Sequence, residues 1–355
     1  MSFNDINFLT NPNYKFKEII SEKSEGFGTS SLFEIYKDKN NNTFLFSPFF
    51  DIKDPRSHKY HISVISLKDN QEKRKLEGHI SRIKSIRYFM NPENEKEYLI
   101  SVDTKCKIII WDLNNNYTKI FEKIIEYNNI INDILMLFIY NKTFIVTSAV
   151  ASNDYTKIIN IHDSNEIKEI ENSFGLIIYN LSYWHNKKNG NHYIIQCGKS
   201  KVLISEYQDN EDYAIIETEE KYPINLGSIV YTKNNIDYLA FSSTFGLIVI
   251  YDLLYKNIVT KIQLDKSYLI NIVKWNEKYL LTIDVNKKKI LIICLDNYKI
   301  ISSIFVPQIF SHERYFKKLI QALYGESLIS IGNDYKIKLC INTYFGTNMN
   351  LIIKN

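Results

Sequence analysis

Short apolar runs recur along the whole chain, broken by clusters of Asn, Asp, Gly and Lys, and they read as strands rather than helices. Tyr98-Leu99-Ile100-Ser101 is followed, after a short polar turn, by Ile108-Ile109-Ile110-Trp111-Asp112 and then by a more polar stretch. The same order returns along the chain: an apolar strand, a second ending in Ser or Thr, a third ending in an aromatic-Asp pair or its remnant, and a polar fourth. Aligning the place of Ile83 gives Leu32, Ile83, Ile131, Ile178, Leu226, Ile270 and Phe316, whose gaps by subtraction run from 44 to 51. Aligning the place of Trp111 gives Ile65, Trp111, His162, Tyr207, Tyr251, Cys294 and Cys340, with gaps from 43 to 51. Two ladders of one period mark a repeated supersecondary unit that buries its apolar faces against its neighbours.

The second copy is the clearest. Gly78-His79 precedes its first strand, Ser101 lies in its second and Trp111-Asp112 closes its third. Gly-His at one end and Trp-Asp at the other, with about 40–45 residues per copy, are the signature of WD-repeat blades. The chain resembles a divergent member of the WD-repeat β-propeller family. His162-Asp163 and Tyr251-Asp252 keep the Asp and replace the ring, and Ser311-His312 is a relic of Gly-His. The resemblance implies an all-β fold: a seven-bladed WD-repeat-like β-propeller with four antiparallel strands per blade. It implies one domain over residues 1–355, with blades starting near 29, 80, 128, 175, 223, 267 and 313. Residues 14–20 are expected to complete the last blade and close the ring, which removes an exposed sheet edge. The C-terminal tail, 343–355, offers a competing closing strand at Leu351 to Ile353.

In that family a hydrogen-bonded His, Ser/Thr, Asp and Trp ties each blade together. The second copy supplies His79, Ser101 and Trp111, with Lys105 at the expected Asp place. The seventh keeps Ser330 and Asp334 but carries Cys340. Structural roles are therefore expected for His79, Ser101, Trp111, Asp112, Asp252 and Asp334, and a packed ring for His162. No copy carries the full set on this reading, so apolar burial and backbone ladders are expected to hold the blades.

Composition changes the picture little. Of 355 residues, 45% are hydrophobic and 24% charged, ordinary for a globular chain. With 44 basic against 40 acidic residues the net charge is +4, too balanced to argue for nucleic acid or an acidic membrane. Lys287-Lys288-Lys289 falls where a solvated turn is expected. Cys106, Cys197, Cys294 and Cys340 have no paired spacing and read as small buried hydrophobes in a reducing compartment. Without a basic-then-apolar leader or a run near the ~18 residues of a membrane span, a cytoplasmic or nuclear location is expected.

Motifs for chemistry are weak. Gly198-Lys199-Ser200 lacks the upstream Gly of a phosphate loop and precedes a strand, and Gly26-Phe27-Gly28 lacks its third Gly. His58 and His61 supply two of the three or four ligands that zinc needs. The innermost strands read as apolar, so no catalytic set, cofactor or metal is expected. The remaining role is recognition of protein partners. The side chain before each first-ladder residue points to one rim, giving Arg82, Ile130, Ile177, Asn225, Leu269 and Tyr315 as candidate partner contacts. A non-catalytic interaction scaffold follows; the alternative is a propeller enzyme or small-ligand binder with a site at the central channel.

Overall fold

The computed structural model describes residues 15–20, 34–40, 42–50, 60–66, 69, 71–127, 129–149, 155–163, 166–170, 178–198, 201–208, 212–217, 224–243, 245–275, 277–287, 289–305, 316–322, 327–332 and 337–341. Among these residues there are strands and turns and no helix. Six consecutive four-stranded antiparallel sheets follow one another in chain order. The first runs from Glu34–Lys37 through Thr43–Phe50 and Tyr60–Ser66 to Glu72–His79. The second holds Ile83–Met90, Glu97–Asp103, Lys107–Asp112 and Thr118–Ile124. The third begins at Ile131–Ile139, the fourth at Asn180–His185, the fifth at Ile224–Lys233 and the sixth at Leu269–Trp275. A further sheet takes Phe316–Ala322, Ser327–Gly332 and Ile337–Ile341, and its fourth strand is the N-terminal Lys15–Ile20, paired antiparallel with Ile337–Ile341.

The first strand of each sheet packs against the first strand of the next, so these strands form the inner line of the molecule. Each sheet from the second to the sixth is sandwiched between two others, which explains why its middle strands are apolar without alternation. Period two is still at work, because alternate side chains serve different layers. Leu99, Ile109 and Trp111 join Phe46, Ile62 and Val64 between the first and second sheets. Ile100, Ile108 and Ile110 join Ile134, Ile145 and Ile159 between the second and third. Each fully buried Ile contributes about 1.5–3 kcal/mol by leaving water. The three cysteines with described side chains, Cys106, Cys197 and Cys294, are buried and free, and burial pushes the Cys197 thiol up to about 12.

Strand pairing corrects the second ladder. Trp111 lies opposite Leu99, two residues before Ser101. The same place falls on Ile159, opposite Ile145, in the third sheet and on Ser205, opposite Ile194, in the fourth. In the sixth it falls on Ile293, opposite Leu280. His162, Tyr207 and Cys294 therefore stand three, two and one residues too late, and His162 is exposed rather than a packed ring. Ile65 and Tyr251 do occupy the Trp place.

A cation bridges each junction between neighbouring sheets from the first to the sixth. Arg74 donates to the Asn116 carbonyl and sits over Tyr117. Lys157 reaches back to the Glu126 carbonyl and over Tyr127. Lys168 donates to the carbonyls of Tyr207 and Gln208, over the Tyr207 ring. Lys256 caps the Tyr213 carbonyl, 3.7 Å above its ring, and Lys233 donates to the Leu295 carbonyl over Tyr298. Burial pushes the phenols of Tyr207, Tyr213 and Tyr298 up to about 12, so the rings stay neutral partners for the cations.

Candidate functional site

In four strands that alternate in direction, the turn between the second and third strands lies on the same side as the connection to the next sheet. The other two turns lie on the opposite side. The first of these sides carries the candidate rim, and its best-defined part is the second sheet. There Trp111 Nε1 donates to Ser101 Oγ at 3.2 Å, and Ser101 Oγ is 2.8 Å from His79 Nε2. His79 Nδ1 lies 3.3 Å from Asp103 Oδ2, and neither side chain has solvent exposure (0%). Asp103 also accepts the amides of Ile80, Ser81, Lys105 and Lys107. The fourth member of this set is therefore Asp103, at the end of its strand, and not Lys105, which is exposed in the turn. The second sheet holds the full set after all.

Burial holds the His79 pKa below its ordinary value although Asp103 pulls it up. The ring is therefore neutral, with Nδ1–H donating to the carboxylate. Burial would raise Asp103, but the hydrogen bonds from His79 and from the Lys107 and Lys105 amides outweigh it and keep the carboxyl low. Asp112 caps its turn by accepting the amides of Asn114 and Asn115, and Asp252 does the same for Leu254 and Tyr255. Asp334 lies outside the described residues.

The network fixes the rim above it. The Thr104 amide donates to the Arg82 carbonyl, the Lys105 amide to Ser81 Oγ, and the Cys106 thiol to the Asn129 carbonyl. Three connections are thereby gathered into one surface holding Ile80, Arg82, Lys105 and Ile130. In the sixth sheet the Val285 amide donates to the Tyr268 carbonyl as Thr104 does to Arg82. Tyr268 is thus the rim residue there. Leu269, pairing with Asp284 as Ile83 pairs with Asp103, is fully buried at 0% exposure and is not a rim contact. Asn225 lies within the strand Ile224–Lys233. Ile177 and Tyr315 lie outside the described residues.

Sequence reasoning placed Ile130 on the rim and missed two wider features. Ile80, Ile130, Tyr155, Phe245 and Tyr268 all belong to connections on this one side and are 44, 38, 41, 45 and 38% exposed. Only their shared topological place, not their local sequence, sets them together. The inner strands also carry a polar line that apolar patterning hid. Arg87 Nη2 meets Asp133 Oδ2 at 2.5 Å and Arg87 Nη1 reaches the Leu181 carbonyl. Asp133 accepts the Leu181 amide, Asn132 donates to the Ile178 carbonyl, and Ser228 donates to Asn180. These bonds join the second to fifth sheets to one another.

No protein-family profile matches the chain, and no curated protein matches it in sequence. Among solved structures it is similar to BBS1N in its complex with ARL6DN, at 13% identity and TM-score 0.65, covering 95% of this chain and 98% of that one. It is also similar to the β-propeller domain of Cps50 (Swd1) from Myceliophteria thermophila, at 12% identity and TM-score 0.64, covering 92% of this chain and 99% of that one. Over nearly the whole of its length, the chain therefore has the β-propeller fold.

Proposed function

We propose that this chain is a non-catalytic scaffold that binds protein partners through the side carrying Ile80, Ile130, Tyr155, Phe245 and Tyr268. Five large apolar and aromatic side chains stand exposed on this side, against Met90, Tyr140 and Tyr255 on the opposite side among the described residues, and such a grouping on a rigid frame is the composition of a docking surface. That observation carries the reading; the similar BBS1N structure, which contains a bound protein, agrees with it. The polar line of the inner strands is engaged between sheets, which is the pattern of a fastening rather than of a channel site. We read the sheets as seven blades of one ring whose last blade is completed by Lys15–Ile20. Deleting 1–22 is then expected to lower the melting temperature sharply, and deleting 346–355 to leave it nearly unchanged; the reverse order would assign closure to the C-terminal tail.

The functional test is affinity purification of the tagged full chain from its native cells. Ile130→Asp with Tyr268→Asp is expected to lose the co-purifying proteins. Tyr140→Asp with Tyr255→Asp, on the opposite side, is expected to retain them. Retention by the first pair and loss by the second would move the interface to the other side.

A further inference from the structure

We infer that a cleft between the turns of the fourth and fifth sheets, on the side away from the docking surface, binds a small dipolar molecule with an apolar body, of which a free apolar amino acid is the simplest. The inference is independent of the scaffold reading.

Three turns build the cleft, and each is held by its own hydrogen bonds. Between the first two strands of the fourth sheet, the Asn186 amide donates to the Asn191 carbonyl and the Gly190 amide to the Asn186 carbonyl. Gly190 takes a φ of 78°, which glycine adopts at no steric cost. In the fifth sheet Lys233 pairs with Ile236, leaving a two-residue turn, Asn234-Asn235, with φ of 51° and 61°. Two positive φ values in such a turn match the twist of the strands and select asparagine. The third turn carries Leu254, whose amide Asp252 accepts. The cavity among these turns measures about 270 Å³. Pockets for drug-sized ligands begin at roughly 300 Å³, so this one suits a smaller molecule.

Its lining separates charge of two signs. The carboxylate of Asp237 is fixed in place: Trp184 Nε1 donates to its Oδ2 at 2.9 Å and Thr232 Oγ1 to its Oδ1 at 2.6 Å. A carboxylate has about four acceptor sites, and no cation pairs with Asp237 among the described residues. The turn of the fourth sheet brings the opposite sign. Lys187 and Lys188 line the same cavity, are exposed, and pair with no acid among the described residues. Asn186, only 5% exposed, accepts the Lys188 amide at Oδ1, while its Nδ2 meets no acceptor among the described residues. A buried donor left without a partner is costly, and a ligand carboxylate would relieve it. Apolar lining comes from Trp184, Ile236 and Leu254. Asp237, the one acid among the described lining residues, weighs against a polyanion, and the two lysines weigh against a simple cation. A ligand carrying an ammonium for Asp237, a carboxylate for Asn186 and the lysines, and an apolar body answers all three.

The test uses the full chain and isothermal titration calorimetry with three matched probes: L-leucine, isoamylamine, which lacks the carboxylate, and isocaproate, which lacks the ammonium. L-Leucine is expected to bind at least about tenfold more tightly than either. Lys187→Ala with Lys188→Ala should bring L-leucine down toward isoamylamine and leave isoamylamine unweakened. Asp237→Asn should bring it down toward isocaproate. Lys96→Ala, exposed in the corresponding turn of the second sheet, should change nothing. If Asp237→Asn lowers the melting temperature, the lysine pair carries the test, since both side chains are exposed. Binding of L-leucine no tighter than of the two single-charge probes would overturn dipolar recognition, and no binding of any probe would overturn the site. Equal weakening by Lys96→Ala would reduce the effect to unspecific charge and overturn it as well. Tighter binding of N-acetyl-L-leucine than of L-leucine would assign the cleft to the last residue of a peptide and overturn the free amino acid. Each of these failures leaves the Ile130 and Tyr268 purification result standing, so the scaffold reading is judged separately.

Discussion

The second and third sheets share one apolar layer, yet each is tied together by different chemistry. The second uses the buried chain Trp111, Ser101, His79 and Asp103. In the third, Thr147 takes the place of Ser101 and Ile159 that of Trp111. Ala149, the counterpart of Asp103, accepts no side-chain hydrogen bond of that kind. Tyr127, from the preceding connection, supplies the substitute: its hydroxyl lies 2.6 Å from Thr147 Oγ1 and donates to the Thr147 carbonyl. Lys157 covers the same ring at 4.8 Å. One tyrosine thus reaches the position that a histidine reaches in the neighbour, with a cation over its outer face. The comparison teaches that the repeat conserves a place for a hydrogen bond between connection and second strand, while the groups that fill it vary.

The largest expected effect tests the ring in the second sheet. Trp111→Ala should cost roughly 3–5 kcal/mol through the cavity it leaves, read as a shift of the urea midpoint. A loss well below that of Ile159→Ala, at the same place in the third sheet, would show that the tryptophan does not dominate. Next is Asp103→Ala, which removes a charged acceptor from four amides and an imidazole. It should cost roughly 2–3 kcal/mol, whereas Ala149→Ser in the third sheet should change little. Tyr127→Phe should cost about 1 kcal/mol, and combining it with Lys157→Met should reveal weak coupling of about 0.5–1 kcal/mol from the cation over the ring. Additive losses in that cycle would remove Lys157 from the fastening.

The smallest effect concerns pH. His79 is buried neutral, with its folded pKa below the unfolded value near 6.5. The unfolded chain therefore takes up a proton before the folded one does, and stability falls as pH drops from about 6.5 toward the folded pKa. Asp103, held low in the folded state, adds a loss of the same sign below about pH 4. His79→Gln should flatten the slope of stability between pH 7 and 5. An unchanged slope would pass the effect to His61, which is also buried and whose pKa burial also lowers.

The period, the all-β class and the group His79, Ser101 and Trp111 were legible because they recur or carry rare residue types. Asp103 was not, because an acid at a strand end and a lysine two residues later are equally plausible turn residues until the hairpin closes. The third strands of the third, fourth and sixth sheets were misaligned for a similar reason. With no aromatic to mark the Trp place, one apolar residue looks like the next, and a shift of one residue exchanges the two faces of a strand. Leu269 and Tyr268 were exchanged by such a slip, which turned a core residue into a rim candidate. The cations over tyrosines were illegible because each joins residues dozens of positions apart.

Those cations belong to a wider set of rivets that serves both sides of the molecule. Arg74, Lys168, Lys256 and Lys233 fasten turns on the side away from Ile80 and Ile130. On the other side Lys107 donates to the Gly78 carbonyl, Lys157 to the Glu126 carbonyl and Lys287 to the Asp265 carbonyl. Each rivet grips a backbone carbonyl, so it holds the course of the neighbouring chain whatever side chains that chain carries. Acetylation of a riveting lysine, which removes its charge, would loosen the one junction that lysine serves and leave the others closed.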